Sequence, residues 1–479
     1  MSVSKRVLLA SALVVATAGI GLSGSANGAS AIYAGPTPDV RCDSGSLPET
    51  TQGRAPISDV ATGRAAKGYT CNTRQISHTG ASGGYRVERY VDKAGHECGY
   101  YDSTLLFPTN IPDQGAEGPG VYVMDMKDPA RPVHTDTMRS PAMLSPHESV
   151  RLNQKRGLIV ADMAYPTTNP GFVDVWDVSK DCLHPTLLAS SPMGVLGHEG
   201  GFAPDGNTFY VASLYFHTLA AVDLTDPTLP KLLWLTSAYQ PHGVSVSADG
   251  TRLYMAEAGF SASDFSGLTV LDVTQVQKRV TNPAVPVISR LTWPTVSTPQ
   301  NATPFTRGGH RYLMEIDEFG SGAAIGAARI IDIQDEKKPF VVSNIRLKVN
   351  MPDMQVPIQA DQGNDHNQPF QGYQGHYCSL PSRVDPNVIA CSLMMSSLRV
   401  FNIVDPAHPK EIAYFNKPVI EGTQPNPQKG GSFAMSAPAY DEATRDIWYS
   451  DGNSGFYVVR LTKGAGVTSF AKSQVLPGN

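Results

Sequence analysis

The chain has 479 residues, 41% of them hydrophobic and 17% charged, with 44 Gly, 37 Pro and a formal net charge of −5. The charged fraction is below the roughly 25% of an average soluble domain. With no strongly basic stretch, nucleic acid is excluded as a natural partner. The Gly and Pro content points to many turns rather than long helices.

Taken in chain order, the first feature is an export signal. Lys5 and Arg6 precede an apolar run from Val7 to about Ile20, and small residues lead to Ala29-Ser30-Ala31, an A-x-A cleavage pattern. The run is short for the about 20 residues of a membrane span. A signal is therefore expected over 1–31, with no transmembrane segment left after its removal and a secreted, extracytoplasmic location. Residues 32–83 are polar and rich in Gly, Ser and Thr, and read as an extended arm. The segment Tyr85–Val91 is expected to supply a strand that closes the fold against the C-terminus. The six cysteines are Cys42, Cys71, Cys98, Cys182, Cys378 and Cys391. An even count in an exported chain predicts disulfides. Cys378 and Cys391 flank a turn-rich segment and are expected to pair across adjacent strands; spacing leaves the other pairings open.

One phrase recurs along the rest of the chain: an alternating apolar strand, an Asp, then often Asp-Pro. It appears at Val121–Pro129, Val173–Asp177, Ala220–Pro227, Leu268–Asp272, Ala328–Ile333 and Leu398–Pro406, with a degenerate copy at Phe456–Arg460. Alternation marks a half-buried strand. The Asp-Pro pair ends it, because Asp caps turns and Pro donates no ladder hydrogen bond. Further strands precede each phrase, with turns such as Asp205-Gly206 and Asp249-Gly250 between them. Seven four-stranded units stacked radially make a propeller.

These phrases resemble the LVIVD-repeat β-propeller family over about residues 84–463. The resemblance implies an all-β, seven-bladed propeller with four-stranded antiparallel blades over 84–479. It is a resemblance in architecture. Blade 5 carries a Gly/Ala-rich loop at Gly320–Ala328, and blade 6 an insertion at Asn350–Gly375.

Histidines recur in the same frame. His96-Glu97, His147-Glu148 and His198-Glu199 are spaced 51 residues apart, and His242 and His376 occupy the same phase in later blades. Blades 5 and 7 have Asn301 and Ser432 near that phase, and His310 is out of phase. This phase is the start of each first strand, the one nearest the axis, so five imidazoles are expected around one mouth of the channel. His96, His147, His198, His242 and His376 are the candidate metal ligands, with His147, His198 and His242 the best three. An imidazole set without thiolate favours copper, then zinc or iron, over calcium. No nucleotide-binding fingerprint occurs. Glu148 and Glu199 follow their histidines directly. Strand alternation turns them toward the neighbouring blade, where they bond its backbone or a Ser or Thr, or else orient an imidazole through its second nitrogen; freed toward the channel, either becomes a general base. Glu315, Asp317 and Glu318 read as a solvated loop. Asp361, Asp365 and His366 read as polar decoration of the blade 6 insertion. Asn301-Ala302-Thr303 matches a glycosylation sequon.

The axial histidines are similar at the level of architecture to histidine-lined copper propellers such as nitrous oxide reductase, thiocyanate dehydrogenase and the selenium-binding-protein/methanethiol-oxidase group. That similarity implies an exported, copper-type oxidoreductase acting on a small molecule. Two other classes fit the same sequence. One is a secreted or surface binding module with a structural histidine ring and a surface partner. The other is a metal-independent hydrolase or lyase using imidazoles as acid and base.

Overall fold

The computed structural model describes residues 35–103, 118–162, 171–193, 197–261, 263–319, 328–361, 372–419 and 431–472. The expected signal at 1–31 lies outside them, as do Asp365, His366 and most of Gly320–Ala328.

Seven antiparallel sheets form a seven-bladed β-propeller. Blade 1 is Val87–Val91, Glu97–Asp102, Val121–Asp125 and Val133–Met138. Blade 2 is Arg151–Asn153, Leu158–Asp162, Phe172–Asp177 and Thr186–Pro192. Blade 3 is Glu199–Phe202, Thr208–Ser213, Thr218–Asp223 and Lys231–Thr236. Blade 4 is Pro241–Val246, Arg252–Glu257, Gly267–Asp272 and Val287–Leu291. Blade 5 is Pro299–Arg307, His310–Asp317, Ala328–Asp332 and Phe340–Ile345. Blade 6 is Tyr377–Ser379, Val388–Ser392, Leu398–Asn402 and Lys410–Asn416. Blade 7 is Ala439–Asp441, Asp446–Asp451 and Gly455–Leu461.

The recurring phrase is the third strand of every blade, and its Asp has a local job. In blades 1 to 6 the side chain of Asp125, Asp177, Asp223, Asp272, Asp332 or Asn402 accepts the backbone N–H two residues on, at 2.8–3.0 Å. That turn satisfies a donor the strand can no longer pair. The Asp of the Asp-Pro pair repeats the move two residues past itself, as with Asp128 and Ala130 or Asp405 and Ala407. Apolar residues of consecutive blades then interdigitate. Val160 and Val175 of blade 2 pack with Phe209, Val211 and Val222 of blade 3, all fully buried.

The ring closes through the N-terminal arm. Thr73–Thr79 pairs with Gly455–Leu461 and is the fourth strand of blade 7, while Tyr69–Cys71 adds a fifth strand to blade 6. The closing strand is thus not Tyr85–Val91, whose Val87–Val91 portion is the first strand of blade 1. Blade 7 ends after three strands, and the segment just before Tyr85 is the one long enough to complete it.

All six cysteines are paired: Cys42–Cys71, Cys98–Cys182 and the expected Cys378–Cys391. Cys98–Cys182 joins blade 1 to blade 2 and spans 84 residues of chain. Replacing both with Ala is expected to lower stability by roughly 2–5 kcal/mol, because a long loop is released in the unfolded chain. A denaturant melt checks this; an unchanged midpoint would contradict it. Among the described residues, no helix is long and apolar enough to cross a membrane.

Candidate functional site

The first strands line the axis, and at one mouth their N-terminal ends bring four histidines together. Imidazole centroids lie 4.5 Å apart for His147 and His198, and 4.8 Å for His198 and His242. Tyr85 continues the arc at 4.4 Å from His147 and 5.1 Å from His376. Glu318 closes it, 3.5 Å from His242 Nε2 and 3.4 Å from His376 Nε2. The rim is therefore six side chains drawn from blades 1 to 6.

Glu148 occupies the centre of that rim. Its carboxylate lies 3.0 Å from His376 Nε2, 3.3 Å from His198 Nε2, and 3.8 Å from both His147 and His242. Alternation was expected to turn Glu148 toward the next blade. His147, however, has a left-handed backbone, φ 51°, costing on the order of 1–3 kcal/mol for a non-glycine residue. This interrupts the alternation, and Glu148 follows His147 into the channel. Tyr377 Oη donates to the carboxylate at 2.9 Å, and Gln300 Nε2 donates to the same oxygen.

Glu199 lies one layer deeper. It pairs with Arg86 at 2.6 Å and with Arg151, and accepts from Asn301 Nδ2 at 2.7 Å. Arg86 also donates to the Glu148 carbonyl at 2.9 Å, tying the two layers together. Gly243 is required here, since a Cβ would collide with Glu199 and with the Gln300 backbone. Below this layer a cavity of about 130 Å³, lined in part by Arg86, Arg151, Asn301, Tyr377 and Arg383, opens along the channel.

The electrostatics are set by burial. His147 is held well below the ordinary histidine range by burial and by His198 beside it. His242 is pushed down to about 3 by the same two causes. Burial also pulls on His376, but its contacts with Glu148 and Glu318 outweigh it and hold it at about 9. Burial raises Glu148, yet the imidazoles of His198 and His376 bring it well below the carboxylate range. Glu318 is raised, chiefly by burial. His376 is thus an imidazolium between Glu148 and Glu318, while His147 and His242 are neutral.

Two of the rings are oriented as ligands by backbone carbonyls. His242 Nδ1 lies 2.8 Å from the Pro299 carbonyl, and His376 Nδ1 lies 2.5 Å from that of Met435. A carbonyl only accepts, so Nδ1 carries the proton and, in the neutral ring, Nε2 presents its lone pair inward. Both ring nitrogens of His198, Nε2 of His242 and Oη of Tyr85 are buried without a hydrogen-bond partner among the described residues. Unpaired buried polar atoms are costly. At the rim two sets of donors could each hold a metal ion within a 4.8 Å span: His147, Glu148 and His198, and Glu148, Glu318 and His376; a third such set, Asp92, His96 and Asp181, lies away from it.

His96 lies elsewhere. It ends the turn between the first two strands of blade 1, is 46% exposed, and bonds Asp92 at 2.9 Å. Its His-Glu dipeptide begins a second strand, one strand away from the axis, and Tyr85 takes blade 1's place at the rim. In blade 5 the channel position is Gln300, next to Asn301; in blade 7 Ser432 is buried against Asn416 at 2.6 Å. Three other readings change. Glu315 and Asp317 are not solvated: both are buried against Arg329, since blade 5's second strand carries them inward. Asp361 is a buried partner of Arg54 at 2.7 Å rather than decoration. Asn301 is buried, so its sequon has no room for a glycan in the folded chain. Gln300, Tyr377 and Arg86 went unread, and Glu318 was read only as part of a solvated loop. Glu318 had a signal: five second strands end on a buried acid, at Asp102, Asp162, Glu257, Asp317 and Asp451, and Glu318 follows one of them.

No family model matches the chain, and no curated protein does. Many solved structures share its shape. The β-propeller domain of Cps50 (Swd1) from Myceliophteria thermophila is 10% identical, with TM-score 0.50, over 81% of this chain and 98% of that one. The periplasmic gluconolactonase PpgL of Pseudomonas aeruginosa is 12% identical, with TM-score 0.47, over 71% and 87%. A functionally unknown protein from Desulfotomaculum acetoxidans is 9% identical, with TM-score 0.45, over 71% and 89%. The likeness to the Cps50 domain establishes that this chain has the propeller fold.

Proposed function

We propose that the channel mouth is a transition-metal centre of an exported, LVIVD-type propeller, used for oxidoreductase chemistry on a small molecule. The observation that carries this reading is the convergence of four imidazoles on one buried carboxylate, with the His198 nitrogens and His242 Nε2 buried and without a hydrogen-bond partner among the described residues. His147, His198, His242 and His376 would supply ligands, together with Glu148 and Glu318. Two carboxylates move the donor set away from the copper expected of imidazoles alone and toward iron or zinc, since two histidines with one carboxylate suit non-haem iron. A bound ion supplies Lewis acidity and, if iron or copper, one-electron chemistry.

The chain's own residues do the rest. The Pro299 and Met435 carbonyls fix two imidazole tautomers. Tyr377 and Gln300 hold Glu148 in place. Glu199 positions Arg86, which braces the Glu148 backbone, and so acts through others rather than on substrate. His147 is partly exposed, 15% at its side chain, and gives solvent access to the rim. Tyr215, 59% exposed, presents its ring edge to His198 at 5.5 Å, a surface suited to a substrate with an apolar part. Three disulfides agree with an oxidising, extracytoplasmic location.

The test is elemental analysis of the purified mature chain beside His147→Ala plus His198→Ala. Stoichiometric iron, zinc or copper, lost in the double variant while the melt is retained, is the expected result. Absence of metal from a chain offered each ion would overturn the reading. A second reading, metal-free acid–base chemistry, draws on the His376 imidazolium between Glu148 and Glu318. It requires turnover that survives exhaustive chelation.

A further inference from the structure

Resting on the metal reading above, we infer that the mouth is a two-metal site with Glu148 as the shared ligand. One ion takes His147, His198 and Glu148. The other takes His376, Glu318 and Glu148, with His242 beside it.

The argument is one of span. A single first-row ion holds imidazole and carboxylate donors at about 2.0–2.2 Å, so any two of its donors lie within about 4.4 Å of each other. At the rim, three donors at a time come within 4.8 Å of one another in two sets, near that limit, and Glu148 belongs to both. Glu148 stands between the sets as a bridge must. Its nearest contact in the first set is Oε2 to His198 at 3.3 Å and in the second Oε1 to His376 at 3.0 Å, while His147 and His242 each lie 3.8 Å from it, at Oε1 and Oε2. His242 Nε2, 3.8 Å from Glu148 and 3.5 Å from Glu318, lies on the Glu318 side.

Two dications against two carboxylates and four neutral imidazoles leave two positive charges in a buried site. Such a site favours a small anionic or oxygen-donor substrate that spans both ions. Tyr85 lies against His147 and His376, one from each set, with its buried hydroxyl unpartnered among the described residues.

The test is the binding stoichiometry of Co²⁺ on the chelator-stripped full chain, by equilibrium dialysis with the visible spectrum recorded at each step. Two Co²⁺ per chain are expected in the wild type, and one each in Glu318→Gln and in His198→Asn, with different spectra. A single Co²⁺ in the wild type overturns the two-metal inference and leaves the metal reading intact. No bound Co²⁺, Zn²⁺ or Fe²⁺ overturns both. Because the wild-type count decides the matter, a variant that fails to fold does not rescue the inference.

Discussion

Glu148→Gln is expected to weaken metal binding by about 100-fold or more, the upper end of what loss of a supporting group alone produces. The substitution is nearly isosteric. Its amide oxygen still accepts from Tyr377 and Gln300, so the blade 2 entry is expected to fold as before. What is lost is the anion that all four imidazoles face within 3.8 Å. A competition titration against a chelating dye measures the change. Wild-type affinity in Glu148→Gln would show that the carboxylate is a structural counter-ion for His376 and nothing more.

The second large effect concerns the arm. A chain beginning at residue 84 is expected to be destabilised enough to unfold or aggregate. It loses the fourth strand of blade 7 and the fifth of blade 6, leaving the hydrogen-bonding edge of Gly455–Leu461 bare. An open edge of that kind pairs with other chains. Arg399 suffers as well. It is fully buried, and Glu49 from the arm supports it at 2.6 Å, with Glu411 at 3.1 Å. Breaking a buried pair by removing one partner costs about 3–5 kcal/mol, a large part of the roughly 5–15 kcal/mol that holds a typical domain. Soluble yield and a circular-dichroism melt check this. A truncated chain melting within a few degrees of the full one would contradict it.

These residues also show what the sequence made legible. The blade count was readable because the Asp turn after each third strand is a local device: its hydrogen bond reaches two residues, and the sequence repeats it. The histidine phase was readable for blades 2, 3, 4 and 6, where it coincides with the start of a first strand. It misled at His96, where the same dipeptide begins a second strand after a turn through Gly95, whose φ is 87°. The role of Glu148 was hidden because alternation presumes regular backbone, and His147 departs from it. The arm's strands were hidden by their polar residues: Thr73–Thr79 is an outer strand, with most of its side chains toward solvent or half-buried. Glu318 was hidden because its partners come from blades 2, 4 and 6, and no local pattern encodes a contact across the axis.

The most direct measurement is anomalous diffraction at the absorption edge of the bound metal, on crystals of the loaded chain. The account predicts peaks inside the rim, about 2.0–2.2 Å from imidazole nitrogens and on either side of Glu148. A rim free of anomalous density, with metal found only at Asp92, His96 and Asp181 away from the axis, would contradict it.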